Sequence, residues 1–139
     1  MEIEAFLLCD CATAGGGKLN VLGAFDGIWA RQMPVVHPAC AVVTRVRFSK
    51  FEQGQHDVRI TIIDADGNII GPDLKDAISI IVPPNEDSIV RNLILNIHGL
   101  RFNQPGQFRV DLTIDNQQIA SLPLKVREIP KQIQPPEDN

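Results

Sequence analysis

The chain contains no tyrosine and a single tryptophan, Trp29, among its 139 residues. Basic residues are also in short supply: 13 Lys and Arg stand against 17 Asp and Glu, giving a net charge of −4. Nucleic-acid-binding domains usually carry a basic excess or a basic stripe, and single-strand binders interleave it with aromatic rings. The sequence therefore argues against a nucleic-acid partner.

Long apolar runs and export signals are missing as well. No apolar segment approaches the roughly 20 residues that a membrane-spanning helix needs, so no membrane partner is expected. The segment Met1–Glu4 holds two acids where a signal peptide needs positive charge. Three cysteines, an odd number, are typical of free thiols in a reducing compartment. We therefore expect a cytoplasmic protein.

Alternation of apolar and polar residues is the main pattern that the sequence does contain. In Phe108–Ile114 the apolar residues take every second position, which places them on one face of a sheet and their polar neighbours in water. About eight such segments follow one another, separated by Gly and Pro, and none has a helical period. This predicts an all-β fold, an antiparallel β-sandwich of about eight strands.

The length fits a single domain, which we place at residues 1–128. Residues 129–139 are rich in Pro, Gln, Glu and Asp and are expected to form a disordered tail. Within the domain, Lys18–Arg31 is predicted as one long strand segment with a bend near Gly23 and Gly27. Met33–Pro38 is predicted as a crossing loop, because its two prolines cannot both serve a central strand.

Two stretches resemble known folds. Leu100–Phe108, with its Pro-Gly turn, and Pro123–Val126 resemble the last hairpin of immunoglobulin-like sandwiches, which implies an immunoglobulin-like character. Glu4–Asp10, Gly17–Asp26 and Pro34–Cys40 together resemble a family of small bacterial proteins that is catalogued only as a domain of unknown function. That resemblance extends to about residue 128, implies a cytosolic all-β domain, and transfers no catalytic residue.

Motifs for phosphate and calcium binding are incomplete. Gly15–Lys18 suggests a phosphate-binding loop, but Ala12 and Leu19 stand where a Walker motif needs a glycine and a hydroxyl. Asp64–Asn68 opens like a calcium loop, yet the sixth and twelfth positions lack the required glycine and glutamate. Scattered aspartates at loop ends (Asp10, Asp26, Asp64 and Asp66) leave a calcium site open, and an Asp-Gly turn is the simpler interpretation.

A zinc site is conceivable at Cys9, Cys11, Cys40 and His37, since thiolates and imidazole are zinc ligands. One intervening residue is too few for a zinc knuckle, so buried core cysteines are the favoured interpretation and no metal or other cofactor is expected. Cys40 with His37 as base is the one conceivable nucleophile. No serine lies in a nucleophile-elbow context, so no catalytic residue is assigned.

Three arginines are predicted to lie together on one outward surface. If Val42–Phe51 and Val58–Ile63 form a hairpin through Gln53–Gln55, then Arg45, Arg47 and Arg59 share one outward face. Such a face could receive a carboxylate or phosphate group, or it could be balanced by neighbouring acids. Pro123 predicts that the last strand lies at a sheet edge, where another chain could add a strand.

The sequence names no substrate. We expect a non-catalytic module that binds a partner protein or associates with itself. The alternatives are a small-ligand or metal-binding domain that uses a loop end, and, weakest, an enzyme.

Overall fold

The alternating segments form strands, as their period of two predicts. A computed structural model describes residues 1–133, 135 and 136 and contains nine of them. The strands are β1 (Glu2–Gly15), β2 (Lys18–Ala24), β3 (Gly27–Ala30), β4 (Val35–Ser49), β5 (Gly54–Ile63), β6 (Leu74–Ile80), β7 (Ser88–Phe102), β8 (Gly106–Ile114) and β9 (Gln117–Glu128). Single-turn 3-10 helices occupy Lys50–Glu52 and Lys131–Ile133. No helix in these residues is long and apolar enough to cross a membrane.

The strands form two sheets that enclose one core. The first sheet has the order β2-β1-β4-β7 and is antiparallel throughout. The second has the order β3-β9-β8-β5-β6 and is antiparallel except where β3 pairs parallel with β9. The expected all-β, sandwich-like fold is confirmed, but its sheets are mostly rather than entirely antiparallel, because β3 pairs parallel with β9. The described residues contain nine strands rather than eight, because the segment 18–31 breaks at Phe25–Asp26 and its halves join different sheets.

The inner faces of both sheets supply the core. Side chains that are less than 2% exposed include Phe48 and Val42 from the first sheet and Ile60 and Leu112 from the second. Burying an aliphatic or aromatic side chain of this size contributes roughly 1.5–3 kcal/mol. The predicted inward face of β8 is confirmed, since Val110, Leu112 and Ile114 are buried and Phe108, which is half-buried, packs against the same core.

A second, smaller apolar cluster lies on the outer face of the first sheet. Cys9, Ala41 and Val43 are fully buried there, and Leu19 and Val21 of β2 pack against them. The carbonyl oxygen of Gly17, at the tip of the β1–β2 hairpin, also accepts a hydrogen bond from Arg45 Nη1 at 3.1 Å. The hairpin therefore folds back over its own sheet and covers part of the outer face of β1.

The predicted β4–β5 hairpin is wrong. β4 pairs with β1 and β7, whereas β5 pairs with β6 and β8 in the other sheet. The cause is a capping box: Ser49 and Glu52 cap a 3-10 turn, which carries the chain from one sheet to the other. Alternation within β4 and β5 sets which side chains face inward, but it is the same for a hairpin and for strands in facing sheets.

Two expectations based on proline also need correction. β4 begins at Val35 and continues through Pro38, so residues 35–38 are strand rather than loop. A proline is tolerated there because β1 pairs with β4 only from Ala41 onward, which leaves that side of β4 open. Similarly, β9 is not a simple edge strand, since β3 pairs with it from Lys125 to Glu128. Pro123 lies just before that pairing, where β9 is still an edge.

The outward face of the second sheet is less solvated than the alternation suggests. Asp111 was expected in water but is only 3% exposed. Its carboxylate accepts hydrogen bonds from Arg109 Nε at 2.9 Å and from the hydroxyl of Ser121 at 2.7 Å. Because both donors come from its own sheet, a buried carboxylate is tolerated without a ligand.

The predicted tail, residues 129–139, extends beyond the described residues at positions 134 and 137–139. Its first residue, Ile129, donates its backbone N–H to the carbonyl oxygen of Ala30 at 2.8 Å. The division into a domain at 1–128 and a disordered tail stays a prediction.

Candidate interaction edge

The three arginines of the predicted binding face do not share a face. Arg45 and Arg47 lie on β4 in the first sheet, and Arg59 lies on β5 in the second. In the ladders Arg47 lies opposite Val90 of β7 and Glu2 of β1, not opposite a residue of β5. The common surface therefore does not exist, for the same reason that the β4–β5 hairpin does not.

Arg45 and Arg47 instead hold three strands of the first sheet together. Both Nε atoms donate to Glu4 of β1, at 3.0 Å to Oε1 and at 2.7 Å to Oε2. Their Nη1 atoms reach the other neighbour, β7, where they donate to Asn92 Oδ1 and Ser88 Oγ, both at 3.1 Å. We call these five residues the Glu4 clamp. The two guanidinium groups lower the pKa of Glu4, Arg47 having the larger effect.

Arg59 is neutralised separately on the second sheet. Its Nε and Nη2 donate to the two carboxylate oxygens of Asp73, each at 2.8 Å. This two-point pairing raises the pKa of Arg59 and lowers that of Asp73. Each arginine of the predicted set thus already has a carboxylate partner, which weakens the case for an anion-binding surface.

The residues of the conceivable zinc site are not brought together. Cys9 is buried in the outer cluster, Cys40 is buried in the central core, and Cys11 is exposed. The structure shows three free thiols. Burial raises the pKa of Cys40, which opposes the thiolate that a nucleophile would need. Among the described residues, no group of three His, Cys, Asp or Glu could hold a metal ion.

One of the loop aspartates, Asp64, stabilises its own turn. Asp64 Oδ1 accepts backbone N–H bonds from Asp66 and Asn68, both at 2.9 Å, and these bonds, that of Asn68 first, lower its pKa. The turn borders a cleft of about 410 Å³ at one loop end, which Arg101 and Phe108 also line. This cleft is large enough to receive a small ligand at a loop end of the sandwich.

The feature that sequence reasoning missed is the free edge of β7. β7 is 15 residues long and pairs with β4 along its length, from Val35 opposite Phe102 to Ser49 opposite Ser88. In the described part of the chain no strand lies on its other side. Every second residue of such a strand directs its N–H and C=O groups away from the sheet. Ile89–Leu95 are all half-buried, although they lie at the margin of the sandwich.

The other sheet edges are shorter or protected. β3 has four residues, and β2 and β6 have seven each. β6 carries the exposed charges of Lys75 and Asp76, and β2 is bent at Gly23, which has φ +70°. The open part of β9 contains Pro123 and lies beside an irregularity in its pairing with β8. Charges, prolines and bulges are the usual devices that prevent edge strands from pairing.

β7 lacks these devices over its central part. From Asn92 to Ile97 it has no charge, no proline and no glycine. Leu93 and Leu95 pack on the central core, and Ile94 packs on the outer cluster, so both faces of the edge are apolar. Arg91 is the nearest charge, and its Nη1 donates to the carbonyl oxygen of Ser79 at 2.9 Å, across the sandwich. The run Asn92-Leu93-Ile94-Leu95-Asn96 at the centre of this edge reads the same in both directions.

Comparison with known proteins identifies the family. A family model described as "Family of unknown function (DUF6941)" matches residues 4–127, and the chain therefore belongs to that family. The resemblance to a domain of unknown function is thereby confirmed. No curated protein matches the chain.

Proposed function

We propose that this DUF6941 domain is a non-catalytic interaction module and that its docking element is the free edge of β7. The observation that carries the proposal is a 15-residue edge strand without charge, proline or glycine over its centre. Main-chain hydrogen bonds to an added strand would supply affinity, and the half-buried side chains on both faces would supply specificity. An exposed edge of this length would otherwise be a template for aggregation.

The Glu4 clamp supports this proposal. It joins β7 to β4 and β1 through charged hydrogen bonds, and it fixes the side chains of Ser88 and Asn92 beside the open edge. A strand that is already held in place binds an added strand more tightly, because binding then costs less conformational entropy.

A photo-crosslinking amino acid at the exposed position His98 of β7 tests the proposal. Its matched control is the same group at Lys75, which is exposed on the edge strand of the other sheet. Both variants are irradiated in the purified protein and in an extract of the source cells, and adducts are mapped by mass spectrometry. We expect an adduct from position 98 that maps to a second polypeptide, and none from position 75. No adduct from position 98, or equal adducts from both, contradicts the proposal.

The loop-end cleft favours a second candidate, a small-ligand domain. Arg101 lines this cleft of about 410 Å³ together with Asp64 and Asp66, so both signs of charge border it. Binding there is tested by the shift in melting temperature with small carboxylates and phosphates, with Arg101→Ala as the control. A shift that persists in Arg101→Ala argues against this cleft.

We also propose the immunoglobulin-like character and the cytoplasmic location that the sequence predicts. Immunoglobulin-like sandwiches often serve as binding modules, and the Pro105-Gly106 turn with the β8–β9 hairpin supports that character. Three free thiols support a reducing, cytoplasmic location.

A further inference from the structure

We infer that the strand received by β7 is β7 of a second copy of this chain, paired antiparallel about a two-fold axis through Ile94. The inference rests on the proposed function, since it names the partner of the same edge. Two copies related by such an axis would join their four-stranded sheets into one continuous sheet of eight strands. A two-fold interface uses one surface patch twice, so that patch must be complementary to itself.

The sequence of β7 meets this condition. With Ile94 opposite Ile94 of the second copy, Leu93 lies opposite Leu95, and Asn92 lies opposite Asn96. The leucines meet on the core side of the sheet and the isoleucines on the outer side, because Leu93 and Leu95 contact the central core and Ile94 the outer cluster. Like side chains therefore meet on both faces, and cross-strand pairs of this kind stabilise a sheet.

The asparagine pairs are complementary as donor and acceptor. Asn92 Oδ1 already accepts a hydrogen bond from Arg45, which leaves its Nδ2 group to donate. Asn96 is exposed and makes no side-chain hydrogen bond to the described residues. Its Oδ1 is therefore available to accept from Asn92 of the second copy. The axis repeats this pair on its other side, so the interface gains two such bonds.

The nearest charged side chain on β7 itself does not oppose the pairing. Arg91 would lie opposite Ile97 of the second copy, and its guanidinium is turned across the sandwich to Ser79. No acid lies between Ser88 and Phe102. Two copies can therefore approach along β7 without placing like charges directly opposite each other at the centre.

Charge substitutions at the two asparagines test the register. Asn92→Asp with Asn96→Asp places two carboxylates opposite each other at both pairs, and we expect the dimer to weaken roughly tenfold or more. Asn92→Asp with Asn96→Lys places opposite charges there and should restore association. Both variants share the same change beside Arg45, so they differ only at the exposed position 96. Sedimentation velocity over a dilution series gives the two dissociation constants.

Disulfide crosslinking locates the axis. Ile94→Cys in a Cys11→Ser background should form a crosslinked dimer on mild oxidation, because directly opposite Cβ atoms lie about 4.5–5.5 Å apart. Asn96→Cys in the same background is the control. Its two copies would lie four residues apart along the strands, about 13 Å, and should not crosslink. Near-ultraviolet circular dichroism of both variants checks that the fold is retained.

The outcomes separate this inference from the proposed function. A wild-type chain that stays monomeric at every concentration, or equal crosslinking at positions 94 and 96, overturns the two-fold pairing. If position 98 then still gives an adduct with a different protein, the edge accepts a foreign strand and the proposed function stands. If position 98 gives no adduct at all, both fail.

Discussion

At the scale of single residues, Thr44 is a polar side chain that the sandwich buries. It lies on β4 and is fully buried, and its hydroxyl has no hydrogen-bond partner among the described residues. A buried hydroxyl without a partner costs roughly 1–3 kcal/mol relative to one that is bonded. A residue of the same shape without the hydroxyl would remove that cost.

We therefore expect Thr44→Val to raise the free energy of unfolding by about 1 kcal/mol. Urea denaturation measures this change, and the slope of the transition should stay the same, because the exposed area on unfolding is unchanged. Thr44→Ser is the matched control: it keeps the hydroxyl, loses a methyl group and should be less stable than wild type. Destabilisation by Thr44→Val would show that the hydroxyl is bonded after all.

His56 is the residue whose charge links local structure to pH. Its Nε2 lies 2.6 Å from the carbonyl oxygen of Glu52, and its Nδ1 lies 2.6 Å from Asp115 Oδ2. Both partners are acceptors, so the doubly protonated ring satisfies both. The bond to Glu52 first, and the bond and charge of Asp115 next, raise the pKa of His56.

Because the folded-state pKa is raised, the contribution of His56 to stability is complete below its unfolded pKa of about 6.5. It is lost as pH rises through the higher folded-state pKa. We expect the stability difference between wild type and His56→Gln to be largest at mildly acidic pH and to shrink above neutrality. Asp115 stays ionised throughout this range, since its pKa is lowered by His56. Thermal melts of both proteins from pH 5.5 to 9 check this, and a difference that grows with pH contradicts it.

At the scale of secondary-structure elements, the Glu4 clamp predicts that substitution of its two arginines lowers the stability of the fold. Arg45→Glu with Arg47→Glu would place three carboxylates together and remove the donors to Ser88 and Asn92. We expect the melting temperature to fall by a few degrees. Adding Glu4→Lys should recover part of the loss, because opposite charges face each other again. An unchanged melting temperature in the double variant would mean that the clamp does not hold β7.

The sequence predicts the faces of the strands better than their partners. The alternation in β8 assigned Val110, Leu112 and Ile114 to the core correctly, and it ends at a turn in which Asp115 and Asn116 have φ 52° and 64°. Alternation carries no information on which strand lies alongside. The error at β4–β5 follows from this, although Ser49-x-x-Glu52 has the form of a capping box and so pointed to a helical turn.

The candidate site was missed for a related reason. A strand becomes an edge only through the arrangement of all the others, so no local pattern in β7 marks it as one. The prediction of an edge at Ala120–Val126 used Pro123 alone and could not foresee that β3 would pair with Lys125–Glu128. What the sequence did contain was the palindrome Asn92–Asn96, which acquires meaning once the edge is known.

At the scale of the whole molecule, self-association would couple folding to concentration. A dimer that forms only from folded chains stabilises the folded state by mass action. We expect the melting temperature of the wild type to rise with protein concentration. The melting temperature of the variant Asn92→Asp with Asn96→Asp should rise less with concentration. The melting temperature of Asn92→Asp with Asn96→Lys should rise as that of the wild type does. A wild-type melting temperature independent of concentration would argue against the dimer.

The parallel contact between β3 and β9 has a consequence for the order in which the molecule can be built during translation. All four strands of the first sheet have been synthesised once Phe102 is added, but the second sheet waits for β8 and β9. Within the described residues β3 pairs with no strand but β9, so it stays unpaired until residues 125–128 exist. A ribosome adds about 5–20 residues per second, so the inner face of the first sheet stays uncovered for seconds. The nascent chain is thus most exposed to chaperones and to neighbouring nascent chains in that interval, when β7 is complete and its covering sheet is not.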